Sequence, residues 1–295
     1  MPTTPGAVTV MRVFVRGANA ARGGNPVPLV ADARGMSDAA MQQVALSHGH
    51  ESAFILPPSD SRFDWRLRFF VPQHEMEMCG HATVGTLWAL RQWKRWTRPT
   101  ARVETLSGPV IARWDEAHQR AWISQPPVNS RALSEPERQR VADVLRLPAD
   151  AAYYAMTNAS TSRVKTLVAL PDVAALNRLQ PDFDAMAALC ESIGSTGLYP
   201  FAMDATVPHV VHARQFPKSS GYPEDAATGI AASALWGHLI ASGAFANDGA
   251  GSQAVTVVQG EAMGCPSEIQ VSPRYSPEGG SDGCWLSGNV EWEAP

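Results

Sequence analysis

The sequence predicts an α+β chain folded as two similar domains, and three observations carry that reading. Its 295 residues exceed ordinary single-domain size, so two domains are expected. Gln125-Pro126-Pro127 is the best linker, because two prolines in a row cannot continue regular structure. Thr83-Val84-Gly85-Thr86-Leu87-Trp88 resembles Ala231-Ala232-Ser233-Ala234-Leu235-Trp236, and each run follows a strand ending near a proline (Pro72, Pro217) and a short polar loop. Two copies of strand–loop–helix imply two similar domains, although small-residue helices are common enough that the repeat alone leaves coincidence open. The expected division is 1–126, with 1–8 a loose tail, then 127–282. Residues 283–295 form a closing strand free to return to the first domain.

Val8 to Val15 reads as the first strand, Arg22-Gly23-Gly24-Asn25-Pro26 as a turn by composition, and Val27 to Val30 as a short strand. Ser37 is a good N-cap for a helix to about Leu46, with Met41, Val44 and Ala45 on one face. Ala53 to Leu56 is strand-like. Trp65, Leu67 and Phe69 alternate with Arg66 and Arg68, as in a half-buried strand that Pro72 ends. Thr83 to Trp93 reads as a helix and Arg120 to Ile123 as a strand. Beyond the linker, helices are expected at about Glu135–Leu145, Asp182–Ile193 and Thr228–Ile240. Strands are expected at Arg163–Leu170, Val207–Ala213, Val255–Gln259, Glu268–Val271 and Cys284–Glu291.

Composition narrows the function classes. A hydrophobic share of 45% supports a substantial core, and a charged share of only 18% argues against disorder. The net charge is −4 and no basic block stands out, so neither nucleic acid nor an anionic membrane surface is an expected partner. No stretch approaches the roughly 20 apolar residues a membrane helix needs. Cys79, Cys190, Cys265 and Cys284 are far apart and form no C-x-x-C pair, so they read as reduced thiols of a cytoplasmic protein. Met1 to Arg16 lacks the apolar run of a secretory signal. There is no G-x-S-x-G elbow, P-loop, Rossmann G-x-G-x-x-G or zinc-spaced cysteine set.

Met78-Cys79-Gly80-His81-Ala82-Thr83 is the sharpest local signal. A glycine just before a helix lets a ligand approach the backbone, and the free N–H groups of a helix start attract an anion. Glu224-Asp225-Ala226-Ala227-Thr228-Gly229 repeats the arrangement before the second small-residue helix. Spacing alone leaves open two ordinary capped helices. His48-Gly49-His50-Glu51 reads in two ways. H-x-H on a strand would put both imidazoles on one face as half of a metal site, with His209 and His212 as the other half; the alternative is loop and surface histidines. Glu51 precedes an apolar strand, where a carboxylate could be partly buried, although an exposed glutamate is the commoner case.

Together these segments resemble the PhzF-like family of phenazine biosynthesis, which shares the diaminopimelate-epimerase fold. Gly24-Asn25-Pro26 is similar to its early G-N-P, and Met41-Gln42 precedes the position of its catalytic glutamate, here Glu51-Ser52. Phe70-Val71-Pro72 and Cys79 to Thr86 resemble its F-x-P and G-H-P/A-T-x-G-T segments. Glu224-Asp225 with Thr228-Gly229 is similar to E-D-P-x-T-G, and Gln259-Gly260 with Gly264-Cys265-Pro266-Ser267 to the late Q-G and G-R-P-S. Three departures stand out: His48-Gly49-His50 replaces the usual Asn-Leu-Ser, Ile230 follows Thr228-Gly229 where Ser is common, and Cys265 replaces Arg. The first two fall where substrate would be touched, so the substrate does not carry over.

The resemblance implies two domains, each a curved, mostly antiparallel sheet around a central helix, with the active site in the cleft between them. Both helices would point their N-termini at a small carboxylate-bearing substrate. It implies an isomerase without metal or other cofactor, and a homodimer. Glu51 would be the acid/base, an apolar wall raising its pKa toward working pH. His81 and Asp225 would be a catalytic positioning pair, and Gly80, His50, Thr228, Gly229 and Ile230 would bind substrate. One rival is an epimerase or racemase, whose relatives on this fold use two cysteines. Cys79 occupies the first position, but no cysteine lies between Pro217 and Ile240, so a two-thiol mechanism is excluded and Cys79 reads as a small packing residue. Other rivals are a non-catalytic ligand-binding protein on the same scaffold and a metal-dependent hydrolase built on His48 and His50.

Overall fold

The structure is a computed structural model that describes residues 6–17, 23–148, 154–245 and 253–293. The chain divides into two compact units, Met1–Gln125 with Trp285–Pro295, and Pro126–Cys284. Most of the expected loose tail (1–5) and Arg22 lie outside the described residues, but Val8 already opens the first strand.

In the first unit the elements are β1 (Val8–Val15), β2 (Asn25–Val30), α1 (Asp38–His48), β3 (Ser52–Leu56), β4 (Trp65–Phe70), β5 (Glu75–Met76), α2 (Gly80–Gln92), β6 (Thr100–Thr105), β7 (Gly108–Asp115) and β8 (Arg120–Gln125). Antiparallel β1/β2, parallel β2/β3, antiparallel β3/β4, parallel β4/β6 and antiparallel β6/β7 and β7/β8 pairs follow in order. The sheet wraps around α2, which packs on β1, β2, β3 and β8. Gly85 permits this: a Cβ there would stand 2.6 Å from Val13 Cγ2 and 2.8 Å from Met11 Cε.

The second unit holds β9 (Asn129–Ala132), α3 (Glu135–Leu145), β10 (Met156–Ser160), β11 (Lys165–Ala169), α4 (Val173–Asn177), α5 (Phe183–Ile193), β12 (Gly197–Met203), β13 (Val210–Ala213), β14 (Phe216–Pro217), α6 (Gly229–Ala241), β15 (Val255–Gln259) and β16 (Ser267–Tyr275). Its order of pairing is antiparallel β10/β11, parallel β11/β12, antiparallel β12/β13, parallel β13/β15 and antiparallel β15/β16. That is the alternation of the first unit, with α6 between its second parallel pair as α2 is in the first. The faint sequence repeat therefore reflects a repeated topology. Here α6 packs on β10, β11 and β16, while Val141, Leu145, Leu189, Ile193 and Phe216 build a second core layer.

The closing segment is two strands, β17 (Ser281–Ser287) and β18 (Asn289–Trp292), rather than the single strand expected over Cys284–Glu291. In the first unit β18 pairs with β1, and Trp292 lies against Trp88 at 5.0 Å and stacks on Trp93 at 5.5 Å. The β6–β7 hairpin, β10 and β12 were not foreseen. β6 and β7 carry charged residues on their outward positions and read as polar, and Gly197-Leu198-Tyr199-Pro200 carries turn residues inside a strand. α2 begins at Gly80, three residues before the expected Thr83, because buried small residues leave no amphipathic start to read.

Gly237 on α6 sets a test of this packing. A Cβ there would lie 2.3 Å from Val128 Cγ2 and 2.6 Å from Val128 Cβ, an atom tied to the backbone. Gly237→Ala would gain about 1 kcal/mol of helix propensity, yet overpacking costs about 1–3 kcal/mol. Urea unfolding should show a net loss that Val128→Ala in the same chain partly restores. A single variant more stable than the parent would contradict this packing.

Candidate functional site

In the first unit, α1 ends at His48, and Gly49 caps it in the left-handed region (φ 69°), its N–H bonding to the Ala45 carbonyl at 2.9 Å. The turn leaves Glu51 directly before β3, whose pairing with β4 fixes the strand's register from Ser52 onward. Cys79 is the N-cap residue of α2, and His81 is the second residue of that helix. These elements bring Glu51, Cys79 and His81 together. Glu51 Oε2 lies 3.1 Å from His81 Nε2, and the two side chains are 12% and 5% exposed. Cys79 Sγ lies 3.5 Å from His81 Nδ1 and 3.9 Å from Nε2.

The electrostatics follow from burial and neighbours. Burial pushes the Cys79 thiol up, so sulfur keeps its proton near neutral pH. Burial alone would lower the His81 imidazole, but Cys79 and Glu51 outweigh it and hold it well above its ordinary 6.5. The Cys79 contribution requires a thiolate, so with the thiol protonated Glu51 is the neighbour that still raises the imidazole. The surroundings of Glu51 thus include an imidazole and a thiol, not only the apolar wall expected from sequence. Cys79 is buried as a packing residue would be, and it also belongs to the polar cluster.

In the second unit, Asp225 is 8% exposed and its Oδ2 accepts from Thr228 Oγ1 at 2.5 Å. Gln259, fully buried, holds this corner with its whole amide. Its Oε1 accepts from Tyr199 Oη at 2.9 Å and Thr228 N at 3.1 Å; its Nε2 donates to the Asp225 carbonyl at 2.7 Å and Thr228 Oγ1 at 3.1 Å. Burial, and then the Asp225 charge, push the Tyr199 phenol well above its ordinary 10 and keep it a donor. Glu224 faces Arg214 in a bidentate pair at 2.9 and 2.7 Å, and Arg214 Nη1 also donates to the Leu176 and Leu179 carbonyls near the end of α4. Sequence reasoning placed Gln259 in a motif without a role and passed over Tyr199 and Arg214. The Gln259-Gly260 pair was the available signal: Gly260 (φ 83°) has no room for a Cβ, which would meet the Cys265 carbonyl oxygen at 2.4 Å.

Serine or aspartate side chains cap the starts of α1 and α5, and a capping box closes α3. Neither Cys79 before α2 nor Thr228 before α6 makes a side-chain cap bond. Gly80 and Gly229 open these two helices and both are buried, as is Ile230, while His50 is exposed.

The histidine cluster does not form as half of a metal site. His48 ends a helix, so H-x-H does not lie on a strand, and both His48 and His50 are exposed. His212 spends both ring nitrogens on carboxylates, Nδ1 on Glu261 at 2.6 Å and Nε2 on Asp204 at 2.9 Å. His209 Nδ1 meets the Ala254 carbonyl at 3.0 Å, and its ring stacks on Phe245.

Comparison with known proteins agrees with this architecture. A family model described as phenazine biosynthesis-like protein, PhzC-PhzF, matches residues 17–282. A Deinococcus radiodurans protein named as an uncharacterized isomerase is 31% identical over 255 residues, 84% of this chain and 81% of its own. A Bacillus anthracis phenazine biosynthesis protein of the PhzF family has a similar structure, with TM-score 0.81 and 23% identity over 97% of this chain and 96% of its own. A hydroxyproline epimerase from Agrobacterium vitis shares the fold at TM-score 0.62 and 12% identity, over 97% and 90%. The diaminopimelate-epimerase-like α+β class read from the sequence is the fold observed.

Two measurements test the polar architecture. Gln259→Leu leaves several buried groups without partners at about 1–3 kcal/mol each, so unfolding should show a loss of about 3 kcal/mol or more; a loss under about 1 kcal/mol would contradict the network. For His212, the Glu261 hydrogen bond and then Asp204 outweigh burial and raise its pKa above 6.5. Folding therefore favours the imidazolium. That stabilisation is complete below the unfolded value and fades as pH rises through the folded value. The stability gap between the parent and His212→Gln, followed from about pH 5 to pH 9, should be widest at the acid end. A gap that widens with pH would contradict the clamp.

Proposed function

The chain belongs to the PhzC-PhzF family of phenazine biosynthesis-like proteins, and from that membership we propose that it is an isomerase shifting a proton, and with it a double bond, on a small carboxylate-bearing, amino-acid-like substrate. Natural-product biosynthesis is the setting this reading favours. The observation that carries it is the Glu51 carboxylate held 3.1 Å from the His81 imidazole beside the uncapped start of the buried helix α2.

Glu51 removes a proton from the substrate carbon next to the carboxylate. The developing negative charge spreads into that carboxylate, where the helix-start N–H groups at Gly80 stabilise it. The protonated Glu51 then delivers the proton to the vinylogous carbon on the same face, the double bond moves, and the carboxylate is regenerated. His81 orients the carboxylate and shares its charge. Asp225, with Thr228 and the start of α6 at Gly229 and Ile230, is assigned to positioning the substrate, as is His50. The route uses no metal and no prosthetic group. The Deinococcus radiodurans relative's name supports an isomerase-type activity.

Glu51→Gln keeps the shape and removes the basicity. General acid–base catalysis contributes about 10²–10⁴-fold, so kcat on an identified substrate should fall by about that much while the substrate still binds. His81→Ala and Asp225→Asn should act more through binding. In D₂O, deuterium should enter at the carbon that gains the proton, unless Glu51 returns the proton faster than it exchanges. Near-parental turnover by Glu51→Gln would end this reading.

A further inference from the structure

The cluster at the start of α2 contains one donor each of carboxylate, thiol and imidazole, and the isomerase reading leaves the thiol without a task. We propose that Glu51, Cys79 and His81 form a binding site for a thiophilic divalent cation of the zinc type, whose occupation would take the Glu51 carboxylate out of proton transfer. The metal site stands on the geometry alone; only the last clause rests on the isomerase reading.

The donor atoms of the three residues all lie within 4.8 Å of one another. A tetrahedral zinc ion, with bonds of about 2.0–2.3 Å, sets oxygen and nitrogen ligand atoms about 3.3 Å apart and nitrogen and sulfur about 3.6 Å apart. The observed separations are 3.1 Å from Oε2 to Nε2 and 3.9 Å from Nε2 to Sγ. They bracket those spacings, and the third separation, from the Glu51 carboxylate to Cys79 Sγ, is within 4.8 Å, so shifts of up to about an ångström close the site. The donor set selects the metal, since thiolate and imidazole suit zinc and cadmium while magnesium and calcium demand oxygen. Coordination displaces two protons to solvent, one from the Cys79 thiol as it becomes thiolate and one from the His81 imidazolium as it becomes a neutral ligand. The dication then meets two anionic ligands and one neutral imidazole, for a net charge of zero. A helix start repels a bare cation, but it favours the thiolate and carboxylate that would carry this one. Three protein ligands leave a fourth position for water or a substrate oxygen.

Cadmium gives a readout independent of any substrate. Titrated into the metal-free full chain, Cd²⁺ should raise the ultraviolet thiolate-to-cadmium charge-transfer band to an end point of one equivalent, and zinc should displace it. Cys79→Ser should abolish the band. Glu51→Gln and His81→Gln should weaken zinc binding, followed by equilibrium dialysis, by about tenfold or more. Metal-free thermal melts of each variant separate loss of a ligand from loss of the fold, and Cys265→Ser, at the one partly exposed cysteine, should leave the titration unchanged. A band that survives Cys79→Ser, disappears with Cys265→Ser, or never forms would overturn the proposal. None of those results bears on whether Glu51→Gln destroys isomerisation, so the two readings fail separately.

Discussion

Everything near the candidate site depends on burying a whole helix inside a curved sheet. Ten of the thirteen residues of α2, from Gly80 to Leu90, are buried, and α6 is covered in the same way. A helix surrounded by strands cannot present a polar face, so it is made from Gly, Ala, Ser and Thr with a few large apolar residues. Two of the hydroxyls there bond back to their own helix, while Thr86 Oγ1 on α2 is buried without a hydrogen-bond partner among the described residues. Thr83 donates back to the Cys79 carbonyl at 2.7 Å and Ser233 back to the Gly229 carbonyl at 3.0 Å. Close packing then fixes the first turn relative to the strands, which is how a residue before β3 and two residues at the start of α2 meet within hydrogen-bonding distance.

That constraint also explains what the sequence made legible. Elements with one wet face announce themselves. Ser37 caps α1 as its spacing predicts, the alternation of Trp65 to Phe70 marks β4, and Asp182 caps α5. α2 and α6 have no wet face and no side-chain cap, so only their small-residue repeat was visible. The β6–β7 hairpin went unseen for the opposite reason. Burial alternates along β6, but its inward positions are Ala101, Val103 and Thr105, of which only Val103 is a large apolar residue, and on β7 the apolar Ile111 faces outward, so residue type hides the buried face.

The site was legible to the extent that it consists of local sequence. Gly80-His81 and Asp225-Thr228-Gly229 lie in short motifs, and Glu51 was singled out by the family resemblance rather than by its place before an apolar strand. What stayed hidden was created by distance along the chain. Gln259 reaches Asp225 across 34 residues and Tyr199 across 60, so no window of sequence reveals that one buried amide satisfies four groups. Cys79 reads as packing until the turn after α1 brings Glu51 beside it. His48-Gly49-His50 misled in the other direction. A strand-like spacing of two lost its meaning once Gly49 proved to be a helix cap.

The electrostatic difference between the two helix starts bears on the proposed chemistry. At α2, a substrate carboxylate would share its surroundings with Glu51, and two anions repel strongly where water is scarce. His81 answers this: the Glu51 charge raises its pKa against the effect of burial, which favours a positive charge beside the carboxylate. At α6, Asp225 instead has the Thr228 hydroxyl on its carboxylate, while Gln259 is bound to its backbone. The first arrangement lets a carboxylate gain and lose a proton while its partner absorbs the change in charge. The second fixes a carboxylate's direction. This asymmetry is the physical ground for assigning proton transfer to Glu51 and positioning to Asp225, although the two helices repeat one fold.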